Sequence, residues 1–230
     1  ESDRKHPLKS NRPIARGDIK ISTAVVLFVI LALVSLVLSY RLSPSFALTA
    51  LVYFVLNLLY SLYLKHVVII DVMCIALGFV LRAVAGAVVI GVEISAWLIV
   101  CTTLLALFLG FGKRRHELML LDNQATDHRK SLSEYSQYFL DQMISVVTAS
   151  TVIAYAFYTL SPDVESKLGT KHMDLTIPFV LYGVFRYLYL IHRKEGGGSP
   201  TKMLLNDKPI LANIILWLIS VVLIVYVFKV

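Results

Sequence analysis

Apolar residues in this chain gather into long blocks separated by short polar intervals. Seven blocks each match the template of about 20 mostly apolar residues that a helix needs to cross the ~30 Å hydrocarbon core of a bilayer. They run from Ile21 to Tyr40, Pro44 to Leu64, Val67 to Gly91, Ile94 to Gly112, Gln142 to Leu160, Leu175 to His192 and Ile210 to Phe228. The first two carry no charge, the third contains Asp71 and Arg82, and the sixth contains Arg186. The pattern predicts an all-α integral membrane protein with seven transmembrane helices, residues 1–230 forming a single transmembrane domain. No internal repeat and no separate soluble domain is visible.

Composition agrees. The 230 residues are 57% hydrophobic and 16% charged, with a mean hydropathy of +0.74, more apolar than a soluble core of this size requires. Cys74 and Cys101 both fall inside predicted spans and read as free buried thiols. The net charge of +7 flanks the spans and forms no free-standing basic domain, so nucleic acid is not an expected partner. The chain opens at Glu1 without Met and without the charged and apolar regions of a signal peptide, so upstream sequence is expected.

Charge also sets orientation, because cytoplasmic loops retain Lys and Arg. Residues 1–20, Lys65, residues 113–134 and residues 193–209 lie on one side and together hold sixteen. The other side holds four, Arg41, Lys167, Lys171 and Lys229. The expectation is a multi-pass protein of the inner (plasma) membrane whose chemically rich loops, and any active site, face the cytoplasm.

The most polar of those loops is the opening Asp3-Arg4-Lys5-His6-Pro7-Leu8-Lys9-Ser10-Asn11-Arg12-Pro13-Ile14-Ala15-Arg16-Gly17. Pro7 and Pro13 fix their own φ and push the preceding residue out of the α region, which predicts an ordered polar loop. Its cations suit an anionic substrate. Asp3, ionised among them, suits Mg²⁺, whose oxygen-rich coordination is commonly completed by phosphate and water.

Three further constellations follow. Lys113-Arg114-Arg115-His116-Glu117-Leu118-Met119-Leu120-Leu121-Asp122 adjoins the fourth span. As a helix it reads either as an interfacial amphipathic segment whose cations meet lipid headgroups, or as a phosphate clamp with a carboxylate free for a metal or a ribose hydroxyl. Arg129 and Tyr135 are candidates to close the same site. Tyr60-Ser61-Leu62-Tyr63-Leu64-Lys65-His66 offers a phenol and an ammonium to an anion, or simply snorkels and anchors at the interface. Asp71 and Arg82 return to nearly one helical face, with Gly78 on the same stripe, and intramembrane charges usually face a polar cavity. That face is expected to look into the bundle, with Asp71 near substrate and Arg82 a deeper structural partner. Arg193 to Lys202 is Gly-rich without P-loop spacing, and Arg186 and Tyr189 either line the cavity or anchor their helix. No GxSxG, HExxH or Cys/His metal spacing occurs in the sequence.

These residues carry a resemblance. The opening DRxHPxKxxRPIAxG resembles the end of the first Asp-rich motif, NDxxDxxxDRxHPxKxxRP, of the UbiA superfamily of intramembrane prenyltransferases, with Asp3 as its last aspartate. Tyr60 to His66, the Asp71 to Arg82 helix, GKRxxE at Gly112 to Glu117 and GGGSP at Gly196 to Pro200 resemble its decaprenyl-phosphate phosphoribosyltransferase branch. The resemblance implies a UbiA-type helical bundle of nine helices in the full protein, two of them upstream. In aromatic prenyltransferases of the superfamily a second DxxxD motif occupies the place where this chain has Lys113-Arg114-Arg115-His116-Glu117. A cationic segment suits an anionic second substrate better than a neutral aromatic acceptor.

The resemblance implies transfer of 5-phosphoribosyl from phosphoribosyl pyrophosphate to polyprenyl (decaprenyl) phosphate, with release of pyrophosphate, for synthesis of a cell-envelope arabinose-type lipid donor. Mg²⁺ is the implied cofactor, held by Asp3 and Glu117. The implied catalytic set is Asp3, Lys9, Lys65, Lys113 and Glu117. Substrate would be bound by Arg4, His6, Arg12, Tyr60, His66, Asp71, Arg114, Arg129, Tyr135 and Arg186. The lipid bilayer is the standing partner, and self-association is left open. Two alternatives stand beside this reading: a UbiA-type prenyltransferase using a prenyl diphosphate and a different acceptor, and a non-enzymatic membrane transporter or lipid-binding protein.

Overall fold

Helix is the only regular structure available to a chain whose apolar blocks must satisfy every backbone group within the segment. In the computed structural model, which describes residues 13–121, 130–193 and 200–227, all elements among the described residues are helical. Among the described residues, seven helices have the length and composition to cross a membrane. The protein is an integral membrane protein, as the hydropathy pattern predicts.

The chain divides into two compact units, each described by itself. The first comprises Glu1–Ile94 with Leu121–Glu134. It begins, among the described residues, with the single turn α1 (Pro13–Arg16), followed by α2 (Ile21–Leu42) and α3 (Pro44–Leu62). Pro44 starts α3 at a first-turn position where no N–H is needed. A 3-10 turn at Leu64–His66 then leads into α4 (Ile70–Ile90), which ends where Gly91 adopts the left-handed conformation at φ 68°. The short α6 (Lys130–Ser133) belongs to the same unit. Phe28 stacks on Phe54 at 6.0 Å to join α2 to α3, and Val72 and Ala76 of α4 are buried. Most of the apolar side chains of α2 are exposed, as suits a lipid-solvated helix.

The second unit comprises Ser95–Leu120 with Tyr135–Val230. It contains α5 (Ala96–Leu121), α7 (Gln137–Leu160), α8 (Pro162–Leu168), a 3-10 turn at His172–Thr176, α9 (Ile177–Arg193), α10 (Pro200–Asn206) and α11 (Lys208–Val227). Leu140, Ile144, Ile191 and Ile210 form its buried core. Lipid is as apolar as these side chains, so close packing and hydrogen bonds hold the helices together. A methyl placed on Gly112 would stand 3.0 Å from Ile191 Cδ1, so glycine is what lets α5 approach α9 there. A hydrogen-bond chain joins three elements. Trp217 Nε1 donates to Tyr155 Oη at 3.0 Å, Tyr155 and Thr176 oxygens lie 2.8 Å apart, and Thr176 Oγ1 donates to the Met173 carbonyl at 2.5 Å. With its own proton committed to Met173, Thr176 accepts from Tyr155.

Two boundaries differ from the hydropathy reading by five residues or more. The fourth span was expected to end at Gly112, but α5 continues unbroken to Leu121. Lys, Arg, Glu, Leu and Met are strong helix formers, and an Arg114–Glu117 pair at i,i+3 supports the extension. Its 26 residues make a rod of about 39 Å, longer than the ~30 Å hydrocarbon core. The fifth span begins at Gln137 rather than Gln142, because Ser136 caps it by accepting the Phe139 N–H at 3.1 Å.

Candidate functional site

In the first unit the candidate residues cluster around the junction of α3 and α4. The helix α3 stops at Leu62, short of the predicted Leu64, and the 3-10 turn carries Lys65 and His66. Tyr60 and Lys65 are half-buried and His66 is exposed. Beyond them Ile69 sits at φ 68° and ψ −47°, and the Ile70 N–H donates to the Val68 carbonyl at 2.7 Å, which closes a three-residue γ-turn. This is a rare conformation, and a β-branched residue adopts it only when its surroundings impose it. The turn delivers Asp71 into the first turn of α4 with none of its surface exposed, at the helix end that favours a carboxylate.

Asp71, Gly78 and Arg82 do share a stripe, but burial does not persist along it. Asp71 and Gly78 are buried, whereas Arg82 is exposed. Its guanidinium donates to the Gly78 carbonyl at 3.1 Å and lies over the Phe79 ring at 4.4 Å and the Tyr53 ring at 5.6 Å. The expectation that this whole face turns inward is corrected at Arg82: a long side chain finds its partners along the flank of its own helix and α3.

In the second unit the polar extension of α5 distributes its cations among different tasks. Arg114 is only 2% exposed and is paired with Glu117 one turn away. Lys113 is half-buried beside it. Arg115 points elsewhere. Its Nε donates to Asp141 of α7 at 2.6 Å, and one terminal nitrogen meets Met119 Sδ at 3.1 Å and the Ile191 carbonyl of α9 at 3.4 Å. Asp141 also lies 3.3 Å from His192 Nε2, whose Nδ1 is 2.9 Å from the Leu188 carbonyl. Asp141 therefore knits the ends of α5, α7 and α9.

Two more predicted site residues lie in this unit. Tyr135 is buried and stacks on Phe139 at 6.1 Å. Arg186 is engaged by Asp207, Nε to Oδ1 at 3.2 Å and Nη2 to Oδ2 at 3.0 Å, while Asp207 Oδ1 also accepts the Ile210 N–H at the start of α11. This fork-to-fork geometry makes Arg186 a brace between α9 and α11. Asp3, Arg4, His6, Lys9, Arg12 and Arg129 lie outside the described residues.

A resident metal can be tested against the donors. Among the described residues no group of three or more His, Cys, Asp or Glu side chains gathers as a metal site. Glu117 is committed to Arg114. The described residues therefore do not by themselves fit a bound Mg²⁺.

Sequence reasoning passed over Asp141, His192, Asp207 and Ser131. Asp141 abuts a predicted span and Asp207 precedes Pro209, so each is a solitary carboxylate at a helix end, which in sequence resembles any interfacial polar residue.

The fold agrees with comparison to known proteins. Residues 1–206 match the model of the UbiA prenyltransferase family. The chain belongs to that family. It is 31% identical over 230 residues to the decaprenyl-phosphate phosphoribosyltransferase of Corynebacterium glutamicum, covering 99% of this chain and 69% of that protein. It is also 31% identical over 227 residues to the enzyme of the same name from Mycolicibacterium smegmatis, covering 95% of this chain and 70% of that one. A solved UbiA homologue from Archaeoglobus fulgidus, bound to DMAPP and Mg²⁺, superposes with a TM-score of 0.71 at 18% identity, over 98% of this chain and 78% of that one. The UbiA bundle expected from the residues is thus the observed fold, and the chain is an integral membrane transferase.

Proposed function

We propose that this UbiA member transfers 5-phosphoribosyl from phosphoribosyl pyrophosphate to a polyprenyl phosphate. The observation that carries this reading is the near-full-length similarity to two enzymes named decaprenyl-phosphate phosphoribosyltransferase. The cationic helical extension Lys113 to Glu117 supports it independently, because it suits anionic substrates.

An ionised oxygen of the lipid phosphate attacks the anomeric carbon, the bond from that carbon to the pyrophosphate oxygen breaks, and the electron pair leaves with pyrophosphate. The nucleophile already carries its charge, so no strong general base is needed. The protein's tasks are alignment of the reactants and stabilisation of negative charge accumulating on the leaving group. Lys113 and Arg114 are assigned to phosphoryl oxygens of the donor, with Glu117 holding Arg114 in place. Lys65 and Tyr60 are assigned to the acceptor phosphate. Asp3 is the residue proposed to hold Mg²⁺, which would supply neutralising charge for the donor's diphosphate. The charge distribution supports a cytoplasm-facing site in the plasma membrane, and the product is suited to cell-envelope lipid-donor synthesis.

The test is incorporation of label by the full-length protein in membranes supplied with radiolabelled phosphoribosyl pyrophosphate, polyprenyl phosphate and Mg²⁺. Label extracted into the organic phase is expected. A folded protein that leaves all label in the aqueous phase overturns the proposal. Incorporation from a labelled prenyl diphosphate instead identifies it as a prenyltransferase.

A further inference from the structure

The turn that carries Lys65 is held by a residue far away in the sequence. Leu64 to Asp71 contains one 3-10 turn, one extended residue at Val67 and the γ-turn at Ile69, so little of it is supported by helical hydrogen bonding. A positive φ at isoleucine is strained and survives only where other contacts over-determine the backbone. One such contact comes from α6. Ser131 is completely buried, its neighbour Leu132 is 1% exposed, and the Ser131 hydroxyl donates to the Lys65 carbonyl at 2.8 Å across 66 positions of sequence. Because α6 is a single turn of four residues, it has no helical stability of its own and stays where its side chains dock.

We infer that Ser131 is a positioning residue for Lys65. Its hydroxyl fixes the peptide plane following Lys65, and with it the direction in which the lysine side chain leaves the backbone. The same tether braces the γ-turn that feeds Asp71 into α4. The segment ending the 113–134 interval thereby governs the cation proposed for the acceptor phosphate. This inference rests on the phosphoribosyl-transfer reading only for the identity of that anion.

The test uses the full-length protein with Ser131→Ala, and with the nearly isosteric but weakly donating Ser131→Cys in case the alanine variant folds poorly. Hydrogen exchange of the peptide covering residues 64–72 should quicken about tenfold, the effect of losing one buried hydrogen bond. In the transfer assay KM for polyprenyl phosphate should rise about fivefold to tenfold, with KM for phosphoribosyl pyrophosphate unchanged. Ser131→Thr, which keeps the hydroxyl, should restore both. Unchanged exchange at 64–72 overturns the inference, and so does a fall in kcat with KM for the acceptor constant, the mark of fewer folded molecules. Exchange needs no turnover. A wild type silent with phosphoribosyl pyrophosphate, whose 64–72 segment still loosens in Ser131→Ala, upholds the tether and overturns the reaction. An active wild type matched by Ser131→Ala in both measurements does the reverse.

Discussion

Arg115 reaches from α5 to α7 and places its Nε 2.6 Å from the Asp141 carboxylate, so one cation of the Lys113-Arg114-Arg115 run is a strut between helices. The two ends differ in exposure, 6% for the Arg115 side chain and 34% for Asp141. Removing the carboxylate strands a buried guanidinium, whereas removing both charges leaves apolar neighbours to close up. Asp141→Leu should therefore destabilise the protein by about 2 kcal/mol, below the range for fully buried pairs because water reaches Asp141. The double variant Arg115→Met, Asp141→Leu should recover much of that loss. Thermal unfolding in detergent checks it, and equal melting temperatures for the single and double variants would count against the strut.

The Arg186 brace makes a different prediction. Asp207 serves both Arg186 and the Ile210 N–H, so Asp207→Ala removes an ion pair and a helix cap together, whereas Asp207→Asn keeps an oxygen for the cap. The cap alone is worth about 1 kcal/mol. Asp207→Ala should melt several degrees below Asp207→Asn, and Arg186→Gln should fall between them and wild type. If Arg186→Gln instead melts like wild type while raising KM for a substrate, Arg186 is a substrate ligand, as the cavity-lining reading of its helix expects.

Tyr187 runs the other way. Its ring is 2% exposed and tilts against Phe108 at 5.1 Å, but its hydroxyl finds no hydrogen-bond partner among the described residues. A buried donor without a partner carries a desolvation cost of about 1–3 kcal/mol. Tyr187→Phe keeps the packing and should leave the melting temperature unchanged or raise it slightly. A clear loss of stability would reveal a partner for that phenol.

The legible and illegible parts of this molecule divide along physical lines. Spans such as Ile21–Leu42 and Lys208–Val227 were readable because bilayer thickness demands a long uninterrupted apolar run, and their ends differ from expectation by only a few residues. The end of α5 was not, because hydropathy reports where lipid stops and says nothing about where helix propensity stops. The roles of Arg114 and Arg115 were hidden for a related reason. They are adjacent, equally charged and each buried, yet successive side chains on a helix point about 100° apart, so one meets Glu117 and the other Asp141. Ser131 gave no signal either, since a serine after a lysine in a polar interval is ordinary until the backbone brings it to the Lys65 carbonyl.

Glu117 provides the test that separates two kinds of chemistry. The resemblance implies a metal ligand, whereas the structure pairs it with the buried Arg114. A metal ligand changed to Gln weakens Mg²⁺ binding, so the Mg²⁺ concentration needed for half-maximal activity should rise with little change at saturating metal. An orienting partner changed to Gln leaves Arg114 less firmly held and weakens its charge-assisted bond, a loss of about 1–2 kcal/mol. Glu117→Gln should then lower kcat/KM for phosphoribosyl pyrophosphate about tenfold with the Mg²⁺ dependence unmoved. Arg114→Lys should give a similar loss, because an ammonium cannot reproduce the planar fork. The double variant should be no worse than either single one, since both act through the same contact. A rise in the Mg²⁺ requirement of Glu117→Gln alone would return this carboxylate to the metal.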